Sequence, residues 1–181
     1  MNLQDISIVK RDIEGTLIPY GQPVTLVPGT EVLVTQALGG SFTLNVNGNL
    51  VRISGQDADA IGKTPPILPS DSFIDKNQEV TKETLLEQLK TCYDPEIPVN
   101  IVDLGLVYEL TLTVLDSGIH VGVQMTLTAP GCGMGPVLAQ DVEQKLLMIP
   151  GVQGVDVVLV FDPPWTSDRM SEAAKLELGL F

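Results

Sequence analysis

Leu106-Val107-Tyr108-Glu109-Leu110-Thr111-Leu112-Thr113-Val114 and Ile119-His120-Val121-Gly122-Val123-Gln124-Met125-Thr126-Leu127 flank Asp116-Ser117-Gly118. Leu106, Tyr108, Leu110, Leu112 and Val114 alternate with mostly polar neighbours, and so do Ile119, Val121, Val123, Met125 and Leu127. Period-two alternation on both sides of a Gly-containing turn predicts a β-hairpin with one buried face.

Outward from the hairpin the pattern changes period. Upstream, Thr81 is suited to cap a helix whose apolar face is Leu85, Leu86 and Leu89, with Val80 placed to staple onto Leu85. That helix ends by Tyr93, because Asp94 precedes Pro95 and is biased away from helix. Asp94-Pro95-Glu96-Ile97-Pro98-Val99 then reads as extended. Downstream, Pro136 opens a helix with Leu138, Val142, Leu146 and Ile149 on one side, closed by Pro150-Gly151. Val155, Val157, Leu159 and Phe161 form a third strand. A last amphipathic helix is expected over 167–178. The order helix, strand, strand, helix, strand, helix predicts a two-layer α/β arrangement for residues 80–181.

Residues 1–62 read differently. Short apolar runs are punctuated by Gly21-Gln22-Pro23, Val27-Pro28-Gly29, Leu38-Gly39-Gly40 and Asn47-Gly48-Asn49. Asn47-Gly48 suits a hairpin turn that needs positive φ at both positions. A small β-barrel or β-sandwich is expected. Residues 63–79, with Pro65, Pro66 and Pro69, read as a semi-extended linker. The whole is an α+β chain, with a β-rich N-terminal domain followed by the α/β domain.

Composition narrows the function classes. The 181 residues carry a formal net charge of −13, which disfavours nucleic-acid backbones and anionic membrane surfaces as partners. No apolar run reaches the roughly 18 residues of a membrane-spanning helix, and the first residues do not read as a signal peptide. Two cysteines, Cys92 and Cys132, do not make a disulfide scaffold. A reducing cytoplasm is the expected location.

Topology gathers chemistry at one edge. In an antiparallel hairpin the start of the first strand lies beside the end of the second. Asp94 to Asp103 should therefore approach Thr128 and the loop Ala129-Pro130-Gly131-Cys132-Gly133-Met134-Gly135. If the third strand runs parallel to the second, Asp162-Pro163-Pro164-Trp165 reaches the same edge. Cys132 lies just ahead of a helix N-terminus, where partial positive charge favours a thiolate. A small buried thiol in a tight turn is the alternative on position alone. Asp94, Glu96 and Asp103 suit metal binding or thiol orientation, or else a solvated turn. Thr128 is placed to donate a hydrogen bond there or to face outward. Trp165, the one tryptophan, suits a partner surface or a core cap. Cys92 reads as packed at a helix end. His120 falls at the far end of its strand, which removes the nearest candidate base for a thiol enzyme.

Cys132 lies among three alternate glycines, but no Lys-Ser/Thr follows them, so a phosphate loop is disfavoured. Two cysteines and one histidine do not space as a structural zinc site. One thiol does not hold an iron–sulfur cluster alone, because such clusters normally take four thiolates.

Asp94-Pro95-Glu96-Ile97-Pro98-Val99-Asn100-Ile101-Val102-Asp103-Leu104-Gly105-Leu106-Val107-Tyr108 resembles the signature of the metal–sulfur cluster assembly domain. That domain is shared by SufT proteins, the eukaryotic cytosolic iron–sulfur targeting factors and the PaaD proteins. Thr126-Leu127-Thr128 leading to Cys132 resembles its second motif and reactive cysteine. Leu38-Gly39-Gly40-Ser41-Phe42-Thr43, Asp57-Ala58-Asp59-Ala60-Ile61-Gly62 and Asp162-Pro163-Pro164-Trp165 are similar to SufT-type members. Gly133 follows the cysteine where many shorter relatives have proline.

The resemblance implies an accessory, non-enzymatic role in iron–sulfur maturation. It implies transient iron–sulfur cluster or iron as cargo, and assembly proteins and client apoproteins as partners. It also implies a homodimer. Cys132 is the implied transfer residue, with Asp94, Glu96, Asp103, Thr128 and Asp162 supporting it and Trp165 on a partner surface. A metal-free adaptor that recruits client apoproteins is the alternative.

Overall fold

The computed structural model describes residues 5–65 and 79–180. The chain divides into two compact units: Met1–Leu68 with Pro95–Pro98, and Pro69–Asp94 with Val99–Phe181. Most of the expected linker, residues 66–78, lies outside the described residues.

The first unit is built from β1 (Asp5–Ile8), β2 (Ile13–Ile18), β3 (Pro23–Leu26), β4 (Glu31–Leu38), β5 (Ser41–Val46) and β6 (Asn49–Ser54). They form one antiparallel sheet in the order β1-β4-β5-β6-β2-β3, rather than two packed sheets. Asn47 (φ 52°) and Gly48 (φ 87°) make the β5–β6 turn, with positive φ at both central positions. Gly48 N–H also donates to Asn45 Oδ1 at 2.9 Å. Ile13, Leu44, Val51 and Ile53 pack from the strands into one core. A 3-10 turn over Gly55–Ile61 adds Ala58, Ala60 and Ile61 to it. That turn supplies part of the cover a single sheet needs to bury one face. Arg11 forks onto Asp57 at 2.9 Å and Asp59 at 2.7 Å, tying the β1–β2 connection to the turn.

The first described element of the second unit is α1 (Lys82–Leu89). Thr81 Oγ1 accepts from Thr84 N–H at 3.3 Å, satisfying one of the free donors of the first turn. β7 (Val107–Leu115) and β8 (Gly118–Met125) form the hairpin, followed by α2 (Gly135–Leu147) and β9 (Val152–Leu159). β8 pairs antiparallel with β7 and parallel with β9. Val121, Val123 and Met125 of β8 are buried, whereas His120, Gly122 and Gln124 on the other face are not. Helix α2 packs against β9, and α1 packs against α2.

Two local expectations change. The alternation slips at Tyr108: pairing jumps from Val107↔Met125 to Glu109↔Gln124, a bulge that leaves Tyr108 without a strand partner. The last helix is broken. A 3-10 turn spans Ser167–Arg169, Met170 is extended, and α3 (Glu172–Glu177) starts afresh with Ser171 Oγ capping Ala174 N–H at 3.1 Å. The break accompanies Ser171 N–H donating to Asp103 O at 2.8 Å, a bond a continuous helix would forbid.

Candidate functional site

Register places the start of β7 and the ends of β8 and β9 on one edge, through Val107↔Met125 and Met125↔Leu159. Two further bonds extend the pairing past the strands: Thr126 N–H to Leu106 O at 2.8 Å and Val160 N–H to Met125 O at 2.8 Å. Three segments therefore leave this edge together: Ile101–Leu106, Thr126–Cys132 and Val160–Trp165.

The segment before β7 does not run extended. Tyr93 and Asn100 form an antiparallel bridge, Asp94 N–H reaches Val99 O at 3.4 Å, and Ile101 N–H bonds Cys92 O at 2.9 Å. The chain turns back on itself between them. Two prolines make Asp94–Val99 read as extended, but its ends are closed by the Tyr93↔Asn100 pairing, which single-residue preferences do not encode. Pro95–Pro98, and Glu96 with it, belongs to the first unit. Glu96 is exposed there.

Asn100 organises the next turn, and sequence reasoning passed over it. Its Oδ1 accepts from Val102 N–H at 3.1 Å and Asp103 N–H at 2.9 Å, while its Nδ2 donates to Asp103 Oδ2 at 2.7 Å. The Asn-x-x-Asp spacing was the available signal, because an asparagine side chain readily mimics a backbone turn. Asp103 is thus partly committed to shaping the loop, with one carboxylate oxygen taken. Asp94 and Thr128 are half-buried, and Asp162 is exposed.

The C-terminal segment is fastened to the same loop. Trp165 Nε1 donates to Leu104 O at 2.8 Å, and Tyr108 Oη donates to Pro163 O at 2.9 Å. The Arg169 guanidinium lies 4.2 Å from the Tyr108 ring centroid, a cation–π contact. Gly105 (φ +70°) lets the backbone of Arg169 come close: a Cβ there would sit 2.2 Å from Arg169 O. Tyr108 and Arg169 are two further residues of this edge absent from the sequence-based set.

Cys132 occupies the loop between β8 and α2. It is half-buried, its thiol is outside any disulfide, and its N–H reaches Ala129 O at 3.4 Å. Gly131 before it has φ +81°, and a would-be Cβ there meets no atom of the described residues within 4 Å. Helix α2 starts three residues later with no acidic side chain in its first turn and no side-chain cap. The partial positive charge of that helix end is left unneutralised by its own first turn. Cys92, by contrast, is fully buried. Thr126, two residues before Thr128, is 1% exposed, and its Oγ1 has no hydrogen-bond partner among the described residues.

His120 lies five residues from the Met125 end of β8, about 17 Å along the strand. Its Nε2 is 3.6 Å from Asp156 Oδ2. Among the described residues no group of three or more His, Cys, Asp or Glu side chains is arranged to hold a metal ion. Among the described residues the donor set has one accessible thiol, Cys132, whereas an iron–sulfur cluster normally takes four thiolates. No helix among the described residues is long and apolar enough to cross a membrane.

Residues 82–157 match the family model described as "Iron-sulfur cluster assembly protein". The chain is 46% identical over 99 residues to an "Fe-S protein maturation auxiliary factor" of Porphyromonas gingivalis, covering 55% of this chain and 91% of that one. It is 39% identical over 103 residues to the auxiliary factor YitW of Bacillus subtilis, covering 57% and 98%. It is also 46% identical over 87 residues to the auxiliary factor SufT of Staphylococcus aureus, covering 48% and 96%. On near-complete coverage of these relatives, the chain belongs to the iron–sulfur cluster assembly protein family.

Proposed function

We propose that this chain is an accessory factor in iron–sulfur protein maturation that carries a cluster or iron transiently and passes it to client apoproteins through Cys132. The observation that carries this reading is the contrast between the two thiols: Cys92 is fully buried, and Cys132 is half-buried in an open glycine loop before an uncapped helix. The Cys132 thiol gives its proton to solvent, and the resulting thiolate donates a lone pair to iron. The remaining ligands come from a second copy in a homodimer, an assembly protein or the client. Asp94, Asp103, Thr128 and Asp162 are the supporting residues in this reading, and Trp165 belongs to a partner surface. Residues 1–62 act as a β-rich domain, 63–79 as a linker and 80–181 as the assembly domain, in the cytoplasm.

Anaerobic reconstitution of the full chain with iron and sulfide, compared with Cys132→Ala, tests it. The wild type is expected to retain iron and activate a cluster-dependent apoprotein, and the variant to lose most of that transfer. Undiminished transfer by the variant removes Cys132 from the mechanism. A second reading, a metal-free adaptor, draws on Tyr108, Trp165 and Arg169, residue types common at binding hot spots, gathered at the same edge. Capture of clients by metal-free Cys132→Ala protein, without transfer by the wild type, favours it.

A further inference from the structure

Leu138, Val142 and Leu146 form the apolar stripe of α2, and Lys145 sits within it, seven residues after Leu138 and three after Val142. Lys145 is only 5% exposed. Its Nζ donates to Thr91 O at 2.6 Å and to Asp141 Oδ2 at 3.0 Å. A second bond crosses the same interface, from Gln88 Nε2 on α1 to Lys145 O at 3.1 Å.

A buried ammonium is a costly way to fill a core. An apolar side chain of similar volume would often be as stabilising or more so. Buried polar groups between helices are best attested as devices that set register. The bond to Thr91 O identifies what is registered here. Thr91 lies just past the end of α1, and the next residue's carbonyl, Cys92 O, accepts Ile101 N–H. Ile101 O in turn accepts Leu106 N–H at 3.0 Å, and Leu106 O accepts Thr126 N–H. Leu104 O, in the middle of that loop, holds Trp165. One hydrogen-bonded path therefore runs from the side chain of Lys145 to the loop at the functional edge, while its helix follows directly from the Cys132 loop.

We infer that Lys145 is a positioning residue that sets the Ile101–Leu106 loop relative to the helix following Cys132, so that delivery depends on it although it touches no cargo. The inference rests on the delivery reading above. Lys145 replaces generic core packing with one directional bond to a named carbonyl, and that bond is lost when the charge pair is exchanged for apolar residues.

The test compares the full chain with Asp141→Leu/Lys145→Met, which removes both charges but keeps the core filled. The expected result is a retained unfolding midpoint and at least tenfold faster amide hydrogen exchange across Thr91–Leu106. A red-shifted, more quenchable Trp165 emission and reduced transfer to the apoprotein are expected with it. If the double variant does not fold, Gln88→Met removes only the second crossing bond and is expected to give a smaller acceleration in the same peptides. Wild-type exchange and emission in the folded variants overturn the inference. So does loosened exchange with undiminished transfer. Failure of the wild type to transfer at all sinks the delivery reading instead, and the exchange result still reports on the loop.

Discussion

Trp165 donates its indole N–H to the carbonyl of Leu104 at 2.8 Å, across 61 positions of sequence. The bond fastens the segment after β9 to the turn that precedes β7. Leu104 is itself fully buried, so losing the donor leaves its carbonyl without this partner in a site largely shielded from water. Trp165→Phe keeps an aromatic ring at the position and removes the bond. It is expected to lower the unfolding free energy by about 1–2 kcal/mol, measured by urea denaturation followed by circular dichroism. An unchanged midpoint would show that water replaces the indole without loss.

Gly105 and Gly131 both hold positive φ, but their surroundings separate them. At Gly105 a Cβ meets the carbonyl oxygen of Arg169 at 2.2 Å, and at Gly131 it meets nothing within 4 Å. Gly131→Ala should therefore cost only the left-handed conformation, about 1–2 kcal/mol. Gly105→Ala carries that cost plus displacement of the C-terminal segment, and is expected to destabilise by about 3 kcal/mol or more. Side-by-side urea titrations check the order. Equal losses at the two positions would contradict the close approach of Arg169.

The two thiols should react at very different rates. Cys92 is inaccessible and Cys132 is half-buried. Brief alkylation of the native chain, read by intact mass, is expected to add one label. Peptide mapping should place it on Cys132, and Cys132→Ala should take almost none on that time scale. Two labels at comparable rates would show that the α1 end opens readily.

The Arg11 fork makes a prediction about pH. Its hydrogen bonds hold the Asp59 carboxyl below the ordinary carboxylate range, the first cause being the side-chain bond from Arg11. A carboxyl depressed in the folded state adds stability above its unfolded pKa and loses it as pH falls through the folded one. The pair is solvent-exposed, so the effect on stability is small. NMR titration should find Asp59 titrating low in the wild type and moving up towards the ordinary range in Arg11→Gln. No movement would mean that the guanidinium does not sit on Asp59 in solution.

Several elements were legible because their physics is local. Alternation over Leu110–Val114 and Ile119–Met125 reflects the two faces of a strand. Asn47-Gly48 marks a turn through positive φ at both residues, and Thr81 marks a helix start through its free first-turn donors. Cys132 was legible as a candidate because glycines and an oncoming helix flank it in sequence. None of these readings requires knowing what lies across the fold.

Lys145, Tyr108 and Arg169 were not legible in that way, and Asn100 only through its Asn-x-x-Asp spacing. Each matters through a partner: Asn100 through Asp103 in a turn whose closure needs Tyr93 and Cys92, and Lys145 through a carbonyl 54 residues away. Tyr108 looked like a regular strand position until the bulge freed it to reach Pro163. By itself the sequence determined the central hairpin, the two helices around it, the edge where β7 starts and β8 ends, and the thiol worth testing. Only the tertiary structure decided that β9 runs parallel beside β8, that the acidic stretch turns back, and that a lysine lies within the helix interface. The reason is physical. Strand and helix periods are set by neighbours within a few residues, whereas pairing partners and buried charges are chosen by contacts that exist only once distant segments have met.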